Sequence, residues 1–254
     1  MLPQEIVDLV IDHLQTSASA LHSCSLVSRR WTARSQKHLF ARVVIRSDSL
    51  RRWCRNIIPG PTGVSSYTSH LALVASANPS EEEACPGPNL LMHASDHLGS
   101  FTNVHALDVV RWEFQDEELY TVPFKQIALS TRTLTVITPV LHSSTFLAFI
   151  TLFERAKSVY IIHPHIPTEE SVILDLFPTS SAVICWQSLH LLDFADSSLP
   201  LLKWIAQLPL RLTNLSVGLR SPSYHDSLLT TLLRAGSETL QTIQLCRSAG
   251  GKAI

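Results

Sequence analysis

Charge is what this 254-residue chain most lacks. Asp, Glu, Lys and Arg make up 16% of it, where about 25% is usual, while 45% is hydrophobic. Disorder needs the opposite balance, so most of the chain is expected to fold. Cysteine is scarce as well. The five, at 24, 54, 85, 185 and 246, are odd in number and form no CxxC. That excludes a disulfide framework and a zinc-finger spacing, and points to reduced thiols in a cytoplasmic or nuclear protein. Long apolar runs are missing. The longest, Phe146–Phe153, is interrupted by Thr151 and falls short of the roughly 20 residues that span a bilayer, so no membrane partner is expected. Glu5 and Asp8 come too early for a basic-then-apolar leader, and without secretion the Asn214-Leu215-Ser216 sequon is expected to stay unmodified.

Catalytic signatures are missing too: there is no GxSxG, P-loop, GxGxxG or kinase motif. Two histidine groupings come nearest to a metal site, His163-Pro164-His165 close to Glu169, and His93 with His97 beside Asp96. The first has no second pair of matching spacing and the second has neither an HExxH nor a third ligand, so no metal or other cofactor is expected. Asp116-Glu117-Glu118 reads as a solvated helix start. Cys24 and Cys54 sit in apolar helical contexts that disfavour a reactive thiolate. The sequence therefore calls for no enzyme activity.

A net charge of −1 excludes a generally basic nucleic-acid binder, but the charge is uneven. Residues 1–60 hold nine Lys and Arg against four Asp and Glu, and residues 61–254 hold eleven against seventeen. The two parts differ in kind. The basic stretch Arg29–Arg55, with Trp31 and Trp53 interleaved, is expected to be a solvated face beside an acidic protein partner rather than an RNA site.

The first forty residues predict three short helices. Pro3 suits a helix start, and Ile6, Val7, Val10, Ile11 and Leu14 follow as an apolar stripe, with Glu5, Asp8 and Asp12 on the other face. Ser17 or Ser19 can cap a second helix carrying Leu21, Cys24, Leu26 and Val27. Ser28 can cap a third with Trp31, Ala33, Leu39 and Phe40 on its apolar side. So small a unit is marginal alone, and its apolar residues exceed what three helices can hide. Some are expected to form a docking surface.

The order Leu2-Pro3-x-Glu5-Ile6, Ile11, Leu14, Leu21, Cys24, Leu26-Val27-Ser28-Arg29-x-Trp31 resembles an F-box. The span from LPQEIVDLVIDHL to CSLVSRRWTARSQKHLF is similar to the fungal family of F-box-like proteins, and covers residues 1–40. The resemblance implies docking on the Skp-type adaptor, and through it the cullin, of a ubiquitin ligase. It implies adaptor contacts, or their support, at Leu2, Pro3, Ile6, Leu14, Leu21, Cys24, Leu26, Val27, Ser28 and Trp31. The first inter-helix loop, Gln15-Thr16-Ser17-Ala18, departs from the family in having no acidic residue.

Residues 41–254 repeat. Short apolar strands are anchored at Leu107, Leu134, Val159, Leu189, Leu215 and Ile243, in steps of 27, 25, 30, 26 and 28, and weaker ones lie at Val43–Ile45 and Leu71–Leu73. Two residues after each anchor stand Val109, Val136, Ile161, Leu191, Val217 and Leu245, all apolar. Between them stand Asp108, Thr135, Tyr160, His190, Ser216 and Gln244. Such alternation means strands with one buried face. The segments Ser144–Glu154, Thr168–Phe177, Leu199–Gln207 and Ser223–Arg234 read as helices, so the strands are expected to be parallel. The fold class is α/β: a three-helix F-box, then a stack that resembles an irregular leucine-rich-repeat solenoid with a parallel sheet. A plain parallel α/β domain is the alternative. The asparagine column of such repeats would hold Trp112, Pro139, Pro164, Phe194, Arg220 and Ser248, so looser coils are expected.

Residues 76–89, with Asn78-Pro79, Glu81-Glu82-Glu83 and Pro86-Gly87-Pro88, read as a mobile loop, and Pro59-Gly60-Pro61 as a break before the repeats. The segment after Leu245 is too polar and short to cap a stack, as in a truncated or alternatively ended family member. The column Val110, Ile137, Ile162, Leu192, Gly218 and Cys246 is expected to form an apolar band on the concave face. With Asp108, Arg111, Tyr160, His163, His190 and Asp193, residues Val110, Ile162 and Leu192 are the candidate surface for an unidentified protein substrate. The alternative is that both sheet faces are covered. The function expected is a non-catalytic substrate receptor of a ubiquitin ligase, or else an adaptor-independent interaction scaffold.

Overall fold

The computed structural model describes residues 3–56, 63–75, 97–114, 117–138, 140–141, 143–164, 184–194, 199–208, 210–219, 230, 232–234 and 238–247. Helices α1 (Gln4–His13), α2 (Ala18–Val27) and α3 (Arg29–Leu39) come first. Pro3 stands just ahead of α1, where its missing N–H costs nothing. The Ser17 hydroxyl caps α2 by accepting from the Ala20 N–H at 3.4 Å. Ser28 holds the extended backbone of a cap before α3, but its side chain does not cap. The Thr32 hydroxyl donates to the Ser25 and Ser28 carbonyls instead and stitches the α2–α3 corner. Val7, Ile11 and Leu21 make a small core of their own, with Leu14, Trp31 and Leu39 packed against it.

The rest is α/β. Strands β1 (Arg42–Arg46), β2 (His70–Val74), β3 (Ala106–Val110), β4 (Glu113–Phe114), β5 (Thr133–Ile137), β6 (Val140–Leu141), β7 (Ser158–Ile162), β8 (Ser188–Phe194), β9 (Asn214–Leu219) and β10 (Thr242–Arg247) follow. Eight of them form one open parallel sheet in chain order, and β4 pairs with β6 apart from it. Registers place Val43, Leu71, Leu107, Leu134, Val159, Leu189, Leu215 and Ile243 in a single row. These are the anchors read from the sequence. That row and the one two residues further on are buried, except Ile243 and Leu245 on β10. Helices α6 (Glu117–Ser130), α7 (Ser143–Leu152) and α8 (Leu199–Gln207) contribute Phe124, Ile127, Phe146, Phe149, Leu201, Trp204 and Ile205 to the same core. Phe124 meets Phe149 edge to face with centroids 5.0 Å apart.

Two further ladders fix the coil. At each strand start, one carbonyl accepts two N–H groups from the next coil. Ala41 takes those of Ser69 and His70, His105 those of Arg132 and Thr133, Arg132 those of Lys157 and Ser158, and Lys157 those of Gln187 and Ser188. At four strand ends, a residue four beyond the anchor turns left-handed: Arg111, Thr138, His163 and Asp193, with φ of 55, 50, 51 and 59°. The N–H groups of the first three donate to the carbonyls of Ile137, Ile162 and Leu192. At its three described positions the asparagine column is replaced by apolar plugs, for Trp112, Pro164 and Phe194 are buried.

Helices α4 (Leu50–Asn56) and α5 (Val64–Tyr67) add to the expected elements. The mobile-loop expectation at 76–89, the helix expected at Thr168–Phe177 and most of that at Ser223–Arg234 lie outside the described residues. No helix among the described residues is long and apolar enough to cross a membrane.

Candidate protein interaction surfaces

Two surfaces gather the residues singled out in the sequence. On the three-helix unit, Val7 and Ile11 turn inward, which leaves Ile6, Leu9 and Val10 of α1 exposed. Leu26 and Val27, at the end of α2, are 74% and 65% exposed. Of the nine exposed large hydrophobic residues among those described, these five fall within the first 27 positions. The remainder of the predicted set divides by burial. Pro3 and Ser28 are exposed, Leu14 and Trp31 half-buried, and Leu21 and Cys24 buried as support; Leu2 lies outside the described residues. Leu9 was absent from the stripe read in the sequence.

What holds that unit in shape is polar. Arg34 Nε and Nη2 donate to the two Asp12 carboxylate oxygens at 2.7 and 2.5 Å, and His38 Nε2 lies 2.7 Å from Oδ1. Arg34, then His38, holds the Asp12 carboxyl below the usual carboxylate range, and Asp12 raises Arg34 in turn. The Gln4 amide bonds Asp8 and the Arg30 carbonyl. Arg34 is therefore a clamp between α1 and α3, not a member of a purely solvated basic face.

The second surface is the open face of the sheet. Across β3, β5, β7 and β8 no described residue covers it, for Ala106, Asp108, Val110, Thr133, Thr135, Ile137, Ser158, Tyr160, Ile162, Ser188, His190 and Leu192 are all half-buried, while Ala72 on β2 and Ser216 on β9, in the row of Asp108 and His190, are buried. The registers set them in three rows. Small and hydroxylated residues lie nearest the strand starts, then Asp108, Thr135, Tyr160 and His190, then Val110, Ile137, Ile162 and Leu192. Tyr160 and His190 stack with centroids 4.2 Å apart and planes 4° from parallel. Partial burial pushes the His190 imidazole below its ordinary value. His70 Nε2 lies 2.6 Å from Asp108 Oδ2. Beyond the strand ends, His163 Nδ1 lies 2.6 Å from Asp193 Oδ2 on the left-handed ridge, with Arg111 exposed on the same ridge.

All nine residues of the candidate substrate surface thus come together on one face and its rim. His70 and Thr135 belong to it and were not in the set, while Ile137 stands in the apolar band that the sequence predicts; His70 lies one place before the anchor Leu71, in the row of Ala106, Thr133, Ser158 and Ser188, which the alternation of anchors does not single out. Cys24 and Cys54 are buried, and burial pushes the Cys54 thiol up, away from reactivity. His93, Asp96, His165 and Glu169 lie outside the described residues, and among those described no three His, Cys, Asp or Glu are placed to hold a metal. No family model matches the chain, and no curated protein matches it in sequence.

Proposed function

We propose that this chain is an F-box protein: the substrate-recognition subunit of a cullin–RING ubiquitin ligase. Its three-helix unit docks a Skp-type adaptor, and its repeat sheet, of irregular leucine-rich-repeat type, holds a target protein. The observation that carries the reading is the exposure of Ile6, Leu9, Val10, Leu26 and Val27 on a unit whose own core is already complete. Exposed apolar side chains gathered on one small unit mark a protein contact. The turn geometry supports the repeat reading, since a left-handed residue, of a different type each time, recurs four places after the anchor at four strand ends. In this role the chain is non-catalytic. It raises the local concentration of target beside a separate conjugating enzyme, and works in the cytoplasm or nucleus.

One observation favours a second reading, the adaptor-independent scaffold. Phe40, the C-cap of helix α3, packs on the main core, and the Ala41 carbonyl accepts from the Ser69 and His70 N–H groups, so the unit also caps the first strand. Capping leaves the five exposed apolar residues unexplained. Affinity purification from cells separates the two. The native chain is expected to bring down adaptor and cullin, and Ile6→Glu with Leu26→Glu to lose both while the melting temperature holds. Equal recovery with the variant would refute adaptor docking.

A further inference from the structure

The open face carries a slot of defined chemistry at Thr135. The register sets Asp108, Thr135 and Tyr160 side by side on β3, β5 and β7. The outer two are therefore about 10 Å apart, with the short Thr135 side chain between them. On one side of the slot stands a carboxylate. Asp108 Oδ2 is taken by His70, and Oδ1 has no partner among the described residues. Arg111, three residues on, forms no ion pair with it and is exposed beyond the strand end. The other side is an aromatic face. One face of the Tyr160 ring is covered by the parallel His190 ring on β8, which turns its opposite face towards β5 and Thr135. In the next row, Val110, Ile137 and Ile162 form an aliphatic shelf across the same three strands.

We infer that the bound protein inserts an arginine or lysine side chain here. A cation above Thr135 lies between strands that stand about 5 Å to either side of it, so it can close on the Asp108 carboxylate as a charge-assisted hydrogen bond of about 2.8 Å and stay within the roughly 6 Å reach of a cation–π contact with the Tyr160 ring. The aliphatic shelf takes the methylene stem, as long basic side chains require. An acidic side chain would face Asp108 with like charge, and an aliphatic one would leave Asp108 Oδ1 unanswered. The excess of acid over base in residues 61–254 draws the same class of partner. This inference rests on the reading of the open face as the target surface and adds the residue that the face selects.

The test is titration of the full chain at pH 8, where free histidine is neutral, followed by NMR with three small probes. N-acetylarginine methyl ester is expected to shift Thr135 and Tyr160 saturably, and its norleucine and glutamate counterparts to leave them in place. Asp108→Asn should weaken the arginine probe about fivefold and Tyr160→Leu about threefold. Thr135→Arg, which plugs the slot with its own guanidinium, should abolish the response with the sheet intact. Equal binding of the arginine and norleucine probes, or no loss in Asp108→Asn and Thr135→Arg, overturns the slot. Target capture from cells keeps the two ideas apart. If Ile162→Glu with Leu192→Glu loses the target while Asp108→Asn retains it, the face stands and the slot falls. If both variants retain the target, the face itself falls.

Discussion

Thr138 occupies a backbone conformation that a β-branched residue seldom adopts, with φ at 50°. Aspartate and histidine, as at 193 and 163, tolerate that region better, and glycine best. Thr138→Gly is therefore expected to stabilise the chain by about 1 kcal/mol and to raise the melting temperature by about 2–4 °C in a calorimetric scan. A fall would show that the threonine side chain does more than fill the turn. Asp12 makes a second prediction. Its folded carboxyl is depressed, so its contribution is full above the usual 3.8 and is lost as pH falls through the depressed value. Asp12→Asn should lower the melting temperature at pH 7, and the gap to the native chain should close progressively below about pH 4. A gap that persists unchanged in strong acid would mean that the clamp is not ionic. These pairings were not legible in the sequence. Asp12 meets Arg34 and His38 across 22 and 26 residues, and His70 meets Asp108 across 38; no local spacing reports a contact made by chain return.

At the scale of the element, the strands were legible because side-chain alternation and a coil of 25–30 residues reinforce each other. Helices were less so. Helix α5 is only four residues long, and α6 contains Pro123, whose missing N–H normally argues against a helix interior. The alternation also ranks mutations. Leu134, in a buried row, should cost about 2–5 kcal/mol when cut to alanine, and Ile137, three residues on and on the open face, about 1 kcal/mol or less. Urea denaturation of the two variants measures both, and similar losses would mean that the open face is packed. Another consequence concerns the stacked pair. The His190 imidazole is depressed by burial, so the folded state resists its protonation, and stability present above pH 6.5 declines as pH falls below it. Amide exchange in β7 and β8, corrected for intrinsic rate, should quicken between pH 7.5 and 5.5, and His190→Gln should remove that dependence. Exchange indifferent to pH in the native chain would contradict the assignment.

At the scale of the whole molecule, two cores are joined where α3 passes into β1. The smaller core leaves apolar side chains in water; the larger leaves one sheet face half open. Composition had announced this division, basic in front and acidic behind, but not which apolar side chains of the first helices would stay outside, since helical spacing alone gives Ile6 and Val7 equal claim to the core. The proposed receptor uses both exposures at once, one for the adaptor and one for the target. The most direct measurement is calorimetric titration of the purified full chain with a purified Skp-type adaptor. Stoichiometric, sub-micromolar binding is predicted, with a negative heat-capacity change from the buried apolar surface, and Leu26→Glu with Val27→Glu should abolish it without altering the melting temperature. No heat of binding with the native chain, or binding untouched by that variant, would contradict the account.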